Sequence, residues 1–137
     1  MSEHTKSWLS GFIDGEGCFV IYVSGDRKVA QCRFVIQVRE DDVDALLLAQ
    51  ETLDGAGTIR THHSPSARAS KPLSRLLISS KSDCARLIAH LDKYPLLAKK
   101  RRDYVVWRQA VESLAVGRDV PALLALRDEL RATRRYV

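Results

Sequence analysis

No apolar run in this chain approaches the roughly 18–20 residues that a membrane-crossing helix needs. The first residues, Met1-Ser2-Glu3-His4-Thr5-Lys6, are polar and lack the apolar core of a secretion signal. The expectation is an intracellular chain, cytoplasmic or in an organellar matrix, that is neither exported nor bound to a membrane. Cysteine is scarce: Cys18, Cys32 and Cys84 are odd in number and form no C-x-x-C. That excludes a disulfide scaffold and suits reduced thiols. The histidines, His4, His62, His63 and His90, show no zinc-finger spacing. Only four prolines occur, against a hydrophobic fraction of 45%, which argues against disorder. Repeats, low-complexity tracts and compositional breaks are also missing, so 137 residues are read as one domain with a real core.

What the chain has in excess is positive charge: 22 Lys and Arg against 17 Asp and Glu, a net +5. A polyanionic partner fits that balance, although an ordinary basic surface fits it too. Hydrophobic periodicity supplies the organisation. Trp8, Leu9, Phe12 and Ile13 give a first helix its apolar face, with Thr5 or Ser7 as cap. After Gly17 the period changes to two: Phe19, Ile21 and Val23 face one side, Val20, Tyr22 and Ser24 the other. A turn at 24–27 leads to a second strand, where Cys32, Phe34, Ile36 and Val38 alternate with Gln31, Arg33, Val35, Gln37 and Arg39. Asp41 or Asp42 caps a helix that turns Val43, Leu46, Leu47 and Leu53 inward. A third strand spans Thr58–His62, residues 63–72 form a long hairpin loop, and a fourth strand spans Leu73–Ser80. Ser82 caps a helix carrying Cys84, Leu87, Ile88 and Leu91, and Tyr94-Pro95 ends it. A further helix opens at Lys99-Lys100-Arg101-Arg102 and stops at Gly117. The last starts near Asp119 and Pro121 and ends in the basic Arg131, Arg134 and Arg135.

One stretch organises the rest: Leu9-Ser10-Gly11-Phe12-Ile13-Asp14-Gly15-Glu16-Gly17. Gly11 and Gly15, four apart, share a helix face and leave bare backbone that a second helix can approach closely. Gly17 is expected to end the helix in a left-handed conformation, and Glu16 emerges at that end.

These nine residues resemble the LAGLIDADG motif of the homing endonucleases, with Glu16 in place of the second Asp. The likeness continues in Gln37-Val38-Arg39-Glu40, in Leu53-Asp54-Gly55-Ala56-Gly57-Thr58-Ile59 and in Tyr94-Pro95-Leu96-Leu97-Ala98-Lys99-Lys100-Arg101, covering residues 7 to about 114. The resemblance implies an α+β domain over 1–137, its core about 5–115 and its last helix about 119–134. The implied fold is αββαββα, a four-stranded antiparallel sheet backed by helices. The motif occurs once, which in that family implies a homodimer, here through Trp8, Gly11, Phe12 and Gly15.

The implied activity is metal-dependent cleavage of double-stranded DNA at a long, near-palindromic site. Glu16 would be the catalytic carboxylate and, with Gly15, the ligand of Mg²⁺, for which Mn²⁺ or Ca²⁺ substitute in binding. Glu40 stands where the family places a polar active-site residue. Lys99 and Lys100, which match the family's Pro-Leu…Lys-Lys stretch, are implied as the basic candidates beside the scissile phosphate, and cations at a helix start, working against the macrodipole, add some support. Asp14 is implied to be mainly structural. The outward sheet face would read bases through Tyr22, Ser24, Arg33, Gln37, Arg39, Arg60, His62 and Arg75, since Arg pairs with guanine and Gln with adenine. Arg27, Lys28, Arg68 and Lys71 would hold phosphates from the hairpin loops. The alternative is a cleavage-silent DNA-binding regulator or an intron-RNA maturase of the same fold.

Overall fold

The period-two stretches do pair into a sheet. In the computed structural model, which describes residues 1–63 and 71–133, α1 (Glu3–Glu16) runs directly into β1 (Gly17–Val23) and β2 (Ala30–Arg39). A single 3-10 turn, Glu40–Asp42, precedes α2 (Val43–Thr52), β3 (Thr58–His62) and β4 (Leu73–Ile78). Helices α3 (Lys81–Lys93), α4 (Lys100–Val116) and α5 (Val120–Thr133) complete the chain. The strand order is β1-β2-β4-β3, antiparallel throughout. The fold is therefore α+β with the predicted element order.

Helices cover one face of this sheet. Phe19, Phe34, Ile36, Leu76 and Ile78 point into the core with no exposed surface. Phe19 lies at its centre, with ring centroids 5.0 Å from Phe34, 5.7 Å from Tyr104 and 5.1 Å from Trp107. Pairing with β4 begins at Phe34, and the two residues before it, Cys32 and Arg33, pair with β1 alone; their carbonyls also meet the helices. Two helix side chains reach them: the Trp107 indole N–H donates to the Arg33 carbonyl at 3.0 Å, and the Cys84 thiol donates to that of Cys32 at 3.7 Å. Leu123 and Leu130 join α5 to the same core.

Several local expectations are corrected. Ser2, not Thr5 or Ser7, caps α1, its hydroxyl accepting the Thr5 N–H at 3.1 Å. Ser80, not Ser82, caps α3, and this takes Ser79 and Ser80 out of β4. Asp42 occupies the N-cap position of α2 without any side-chain cap bond. Leu47 is 49% exposed, while Leu46 beside it is buried. Gly17 is extended (φ −74°, ψ 152°), not left-handed. Its glycine requirement is spatial: a Cβ there would lie 2.8 Å from both the Ile13 carbonyl oxygen and the Phe34 ring. The hairpin expected over 63–72, together with Arg68, lies mostly outside the described residues, as do Arg134 and Arg135.

The close approach at Gly17 makes a contrast within one motif. Gly17→Ala should destabilise the protein by about 1–3 kcal/mol, because it overpacks a closed joint. Gly11→Ala, whose Cβ meets nothing within 4 Å, should not. Urea denaturation of the two variants at low protein concentration measures the difference.

Candidate functional site

Helix α1 is fastened along one side and bare along another. Its buried residues, Leu9, Ser10 and Ile13, face the core. Gly11 and Gly15 lie exposed, and a Cβ on either would touch nothing in the protomer. Trp8 and Phe12 stack beside the glycines at 5.1 Å and 15°, each only half-buried. A groove running along the stripe is lined by Gly11, Asp14, Tyr94 and Leu97, the last of these 87% exposed. The four predicted interface residues thus share an open, largely apolar surface.

Five hydrogen bonds, through Ser10, Asp14 and Lys100, fix the end of this helix against the chain 80 or so residues later. The Ser10 hydroxyl donates to the Tyr94 carbonyl at 2.6 Å, which leaves its oxygen to accept from His90 Nε2 at 3.1 Å. Burial, helped by the Lys6 ammonium, lowers the His90 pKa from its ordinary value, favouring the neutral ring. The Asp14 carboxylate accepts two backbone N–H groups, from Leu97 at 2.9 Å and Ala98 at 3.2 Å. The Lys100 ammonium donates to the Gly17 carbonyl at 2.5 Å. Asp14 is thereby a clamp between α1 and the lead-in to α4, and Lys100 reaches the point where α1 becomes β1. Lys99 stands exposed at the N-cap position of α4.

Glu16 is the last residue of α1 and is exposed. Its carboxylate makes no hydrogen bond or ion pair among the described residues. It lines an open groove of about 610 Å³ together with Phe12, Gln37, Arg39, Asp41 and Asp42. Glu40 starts the 3-10 turn and is tied by its backbone N–H to the Pro72 carbonyl at 3.0 Å; its side chain is exposed, and it is not among the residues lining that groove. A carboxylate at the negative end of a helix is electrostatically unfavourable, and the last turn of α1 carries no cation of its own. The unpartnered Glu16 and the free carbonyls of that turn are hard oxygen donors of the kind Mg²⁺ takes, with phosphate and water completing its shell. No group of three or more metal-ligating side chains occurs among the described residues, so one protomer offers only part of such a shell.

From this groove the sheet's open face extends outward. Alternation places Tyr22 on β1, Arg33, Gln37 and Arg39 on β2, Arg75 on β4 and Arg60 and His62 on β3 on that face. Gln37, Arg75 and Arg60 lie in one cross-strand row, and Arg39, Leu73 and His62 in the next. Arg75 Nη2 donates to Gln37 Oε1 at 3.0 Å. Arg33 sits 4.2 Å over the Tyr22 ring and donates from Nε to Gln31 Oε1 at 2.7 Å. Ser24 is drawn into the β1–β2 turn instead: its hydroxyl donates to Asp26 and accepts the Val29 N–H. Arg27 and Lys28 are exposed at the tip of that turn, with Arg27 at φ 61°, and Lys71 is exposed at the entry to β4. Arg118, from the α4–α5 connection, donates to the Lys28 carbonyl and so braces the turn. Sequence reasoning left out Gln31, which the period-two pattern could have supplied. It also left out Arg118, Asp41 and Asp42, whose positions depend on the tertiary fold.

The sequence model of a family described as LAGLIDADG endonuclease matches residues 9–111. The chain is 36% identical over 111 residues to the probable intron-encoded endonuclease 3 of Neurospora crassa, covering 77% of this chain and 20% of that protein. It is 32% identical over 112 residues to a 50.9 kDa protein in ND4 intron 1 of Podospora anserina, covering 76% and 23%. It therefore spans about a fifth of the length of these curated relatives. Among solved structures it resembles the meganuclease I-AabMI bound to uncleaved DNA, with TM-score 0.68 and 34% identity, over 80% of this chain and 36% of that one. It also resembles the archaeal intron-encoded homing endonuclease I-Vdi141I complexed with DNA, with TM-score 0.80 and 21% identity, over 98% and 87%. The latter likeness is one of fold.

The clamp and the open carboxylate should separate by mutation. Asp14→Asn turns one oxygen into an N–H₂ facing a backbone N–H and should lower stability by about 1–3 kcal/mol. Glu16→Gln should leave stability within about 0.5 kcal/mol of the parent. Thermal denaturation of both variants checks this.

Proposed function

The chain belongs to the LAGLIDADG endonuclease family, and on that footing we propose that it is a sequence-specific double-stranded DNA endonuclease acting as a homodimer on a long, near-palindromic site. One observation carries the reading. An exposed carboxylate without a hydrogen-bond or ion-pair partner among the described residues, Glu16, ends a clamped helix, the Lys100 ammonium bonds the carbonyl of the next residue, Gly17, and a basic face begins at the same groove. Basic side chains on a sheet set register by phosphate contact and read sequence by base-edge contact.

Hydrolysis of a phosphodiester requires a water in line with the leaving oxygen and positive charge to balance the pentacoordinate phosphorus. Glu16, with the Gly15 carbonyl, would hold Mg²⁺, which Mn²⁺ or Ca²⁺ can replace in binding. When bound, the ion supplies Lewis-acid stabilisation of phosphate charge. Lys100 uses one of its three N–H donors on the Gly17 carbonyl, so two remain for the scissile phosphate or the attacking water. That fixed ammonium needs no reorganisation as charge develops. Lys99 would lie along the phosphates beside it. Asp41 and Asp42 would orient solvent at the groove's far wall, and Glu40, exposed in the same 3-10 turn but outside the groove's lining, would add negative charge beside them.

One protomer brings one such carboxylate, whereas a duplex has two strands to cut. A second copy docking through Trp8, Gly11, Phe12 and Gly15 would set two Glu16 side chains near a common axis. The bare glycine stripe and the exposed Leu97 support that seam. Each copy's sheet would then lie along one half of the target, with Arg27, Lys28 and Lys71 on flanking phosphates.

With a randomised duplex library and Mg²⁺, new duplex ends are expected, and EDTA should suppress them. Glu16→Gln should lower cleavage at least about a hundredfold while duplex binding persists. Retention of particular duplexes without new ends would make the chain a regulator, and preference for a folded intron RNA would make it a maturase. Gly11→Met should weaken self-association about tenfold or more, a cost of 1–3 kcal/mol for overpacking the seam. Sedimentation unchanged from the parent would rule out the glycine stripe as the interface.

A further inference from the structure

The hydrogen bonds among the side chains of the open sheet face restrict which base edges it accepts. A guanidinium has five donors and no acceptor, so the Gln37 atom 3.0 Å from Arg75 Nη2 must be the amide oxygen. The same holds for the Gln31 atom 2.7 Å from Arg33 Nε. Both glutamines on this face thus have one lone pair of the amide oxygen taken by an arginine of the face itself, which pulls that oxygen toward the guanidinium and turns the N–H₂ away from it. Adenine recognition by Gln requires the amide oxygen to take the N6 proton while the amide nitrogen donates to N7. Here the oxygen is drawn sideways, and an adenine N6–H₂ over Gln37 would meet the charged donors of Arg75.

Arg33 is constrained in a complementary way. Its Nε is occupied by Gln31 and its plane is held over the Tyr22 ring at 4.2 Å. The terminal Nη1 and Nη2 pair is what remains, and that fork matches guanine O6 and N7. No carboxylate stands on this face among the described residues, so nothing there is placed to accept from cytosine N4. Between the Arg33 and Gln37 rows lies an apolar pair, Val35 against Leu77, both half-buried. Apolar side chains in a major groove meet the thymine methyl. Residues 33 and 37 are four strand positions apart, about 13 Å at roughly 3.3 Å per residue. That is the axial rise of about four base pairs.

We infer that each half of the duplex target carries guanine at two positions about four base pairs apart, one under the Gln37–Arg75 pair and one under Arg33, with a thymine methyl against Val35 and Leu77 between them. The inner guanine is the one nearer the Glu16 groove, because Gln37 lines that groove and Arg33 does not. This inference rests on the DNA-binding reading above and specifies its substrate.

The test uses the full chain, a randomised duplex library and Ca²⁺, with the retained duplexes sequenced. The expected result is enrichment of guanine at two positions per half-site with thymine between them. Arg75→Leu frees the Gln37 oxygen and should change the inner preference from guanine to adenine by roughly tenfold or more, leaving the outer guanine in place. Arg33→Leu should erase the outer preference alone. Adenine at the inner position of the parent, or an inner preference untouched by Arg75→Leu, overturns the inference. A reproducible retained sequence without the two guanines overturns it while leaving the DNA-binding reading intact. If no duplex is retained by the parent, that reading falls and the inference falls with it.

Discussion

The carboxylate of Asp14, bonded to the backbone N–H groups of Leu97 and Ala98, sets the geometry of everything around it. It joins the end of the first helix to the start of α4, and Ser10 and Lys100 add a bond on either side. Together with the buried Leu9 and Ile13, these bonds fix the orientation of the helix and with it the position of Glu16 at its end. The joint also consumes the acid. Asp14 is fully engaged by backbone donors, so the neighbouring Glu16 is the carboxylate of the motif left open to solvent. Two acids two residues apart on one helix end thus divide into a fastener and a free ligand.

The same economy of partners shapes the sheet. Its inner face is filled by aromatic and branched side chains around Phe19. Its outer face is a set of cations, two of them bonded to amides, while Arg60 and Arg75 stand directly opposite each other on β3 and β4. Unpaired arginines in adjacent strands would repel each other across distances of about 5 Å. Gln37 beside Arg75, and Gln31 with Tyr22 beside Arg33, spread that charge without neutralising it. The face keeps the long-range attraction of a basic surface and gains a fixed arrangement of donors.

Much of the architecture was legible in the residues. The alternation from Phe19 to Val23 and from Cys32 to Val38 places the strands and their inward sides correctly, and β3 has the predicted bounds. Helix starts were less legible, because Ser2, Thr5 and Ser7 all have capping chemistry. Only the tertiary fold decides which one the chain enters from. Leu46 and Leu47 show the same limit: α2 buries the first and leaves the second 49% exposed, and composition does not choose between them. At Gly17 the residue type was legible and its reason was not. The neighbour that demands a bare Cα is Phe34, from another strand. For the candidate site, the motif pointed to Glu16, but the pairing of Lys100 with Gly17 spans 83 residues and that of Arg75 with Gln37 spans 38. Local pattern carries no information over such distances.

The three thiols differ in burial: Cys32 and Cys84 are buried and Cys18 is exposed. Cys84 spends its proton on the Cys32 carbonyl, and burial pushes the Cys32 and Cys84 thiols up to about 12 and about 11. A thiol held protonated reacts slowly with electrophiles, since the thiolate is the nucleophile. Cys18 is exposed on the open face, opposite Val35. The native chain therefore comes with a single alkylation handle on its outer sheet. A fluorophore attached there would report occupancy of that face without any engineered cysteine.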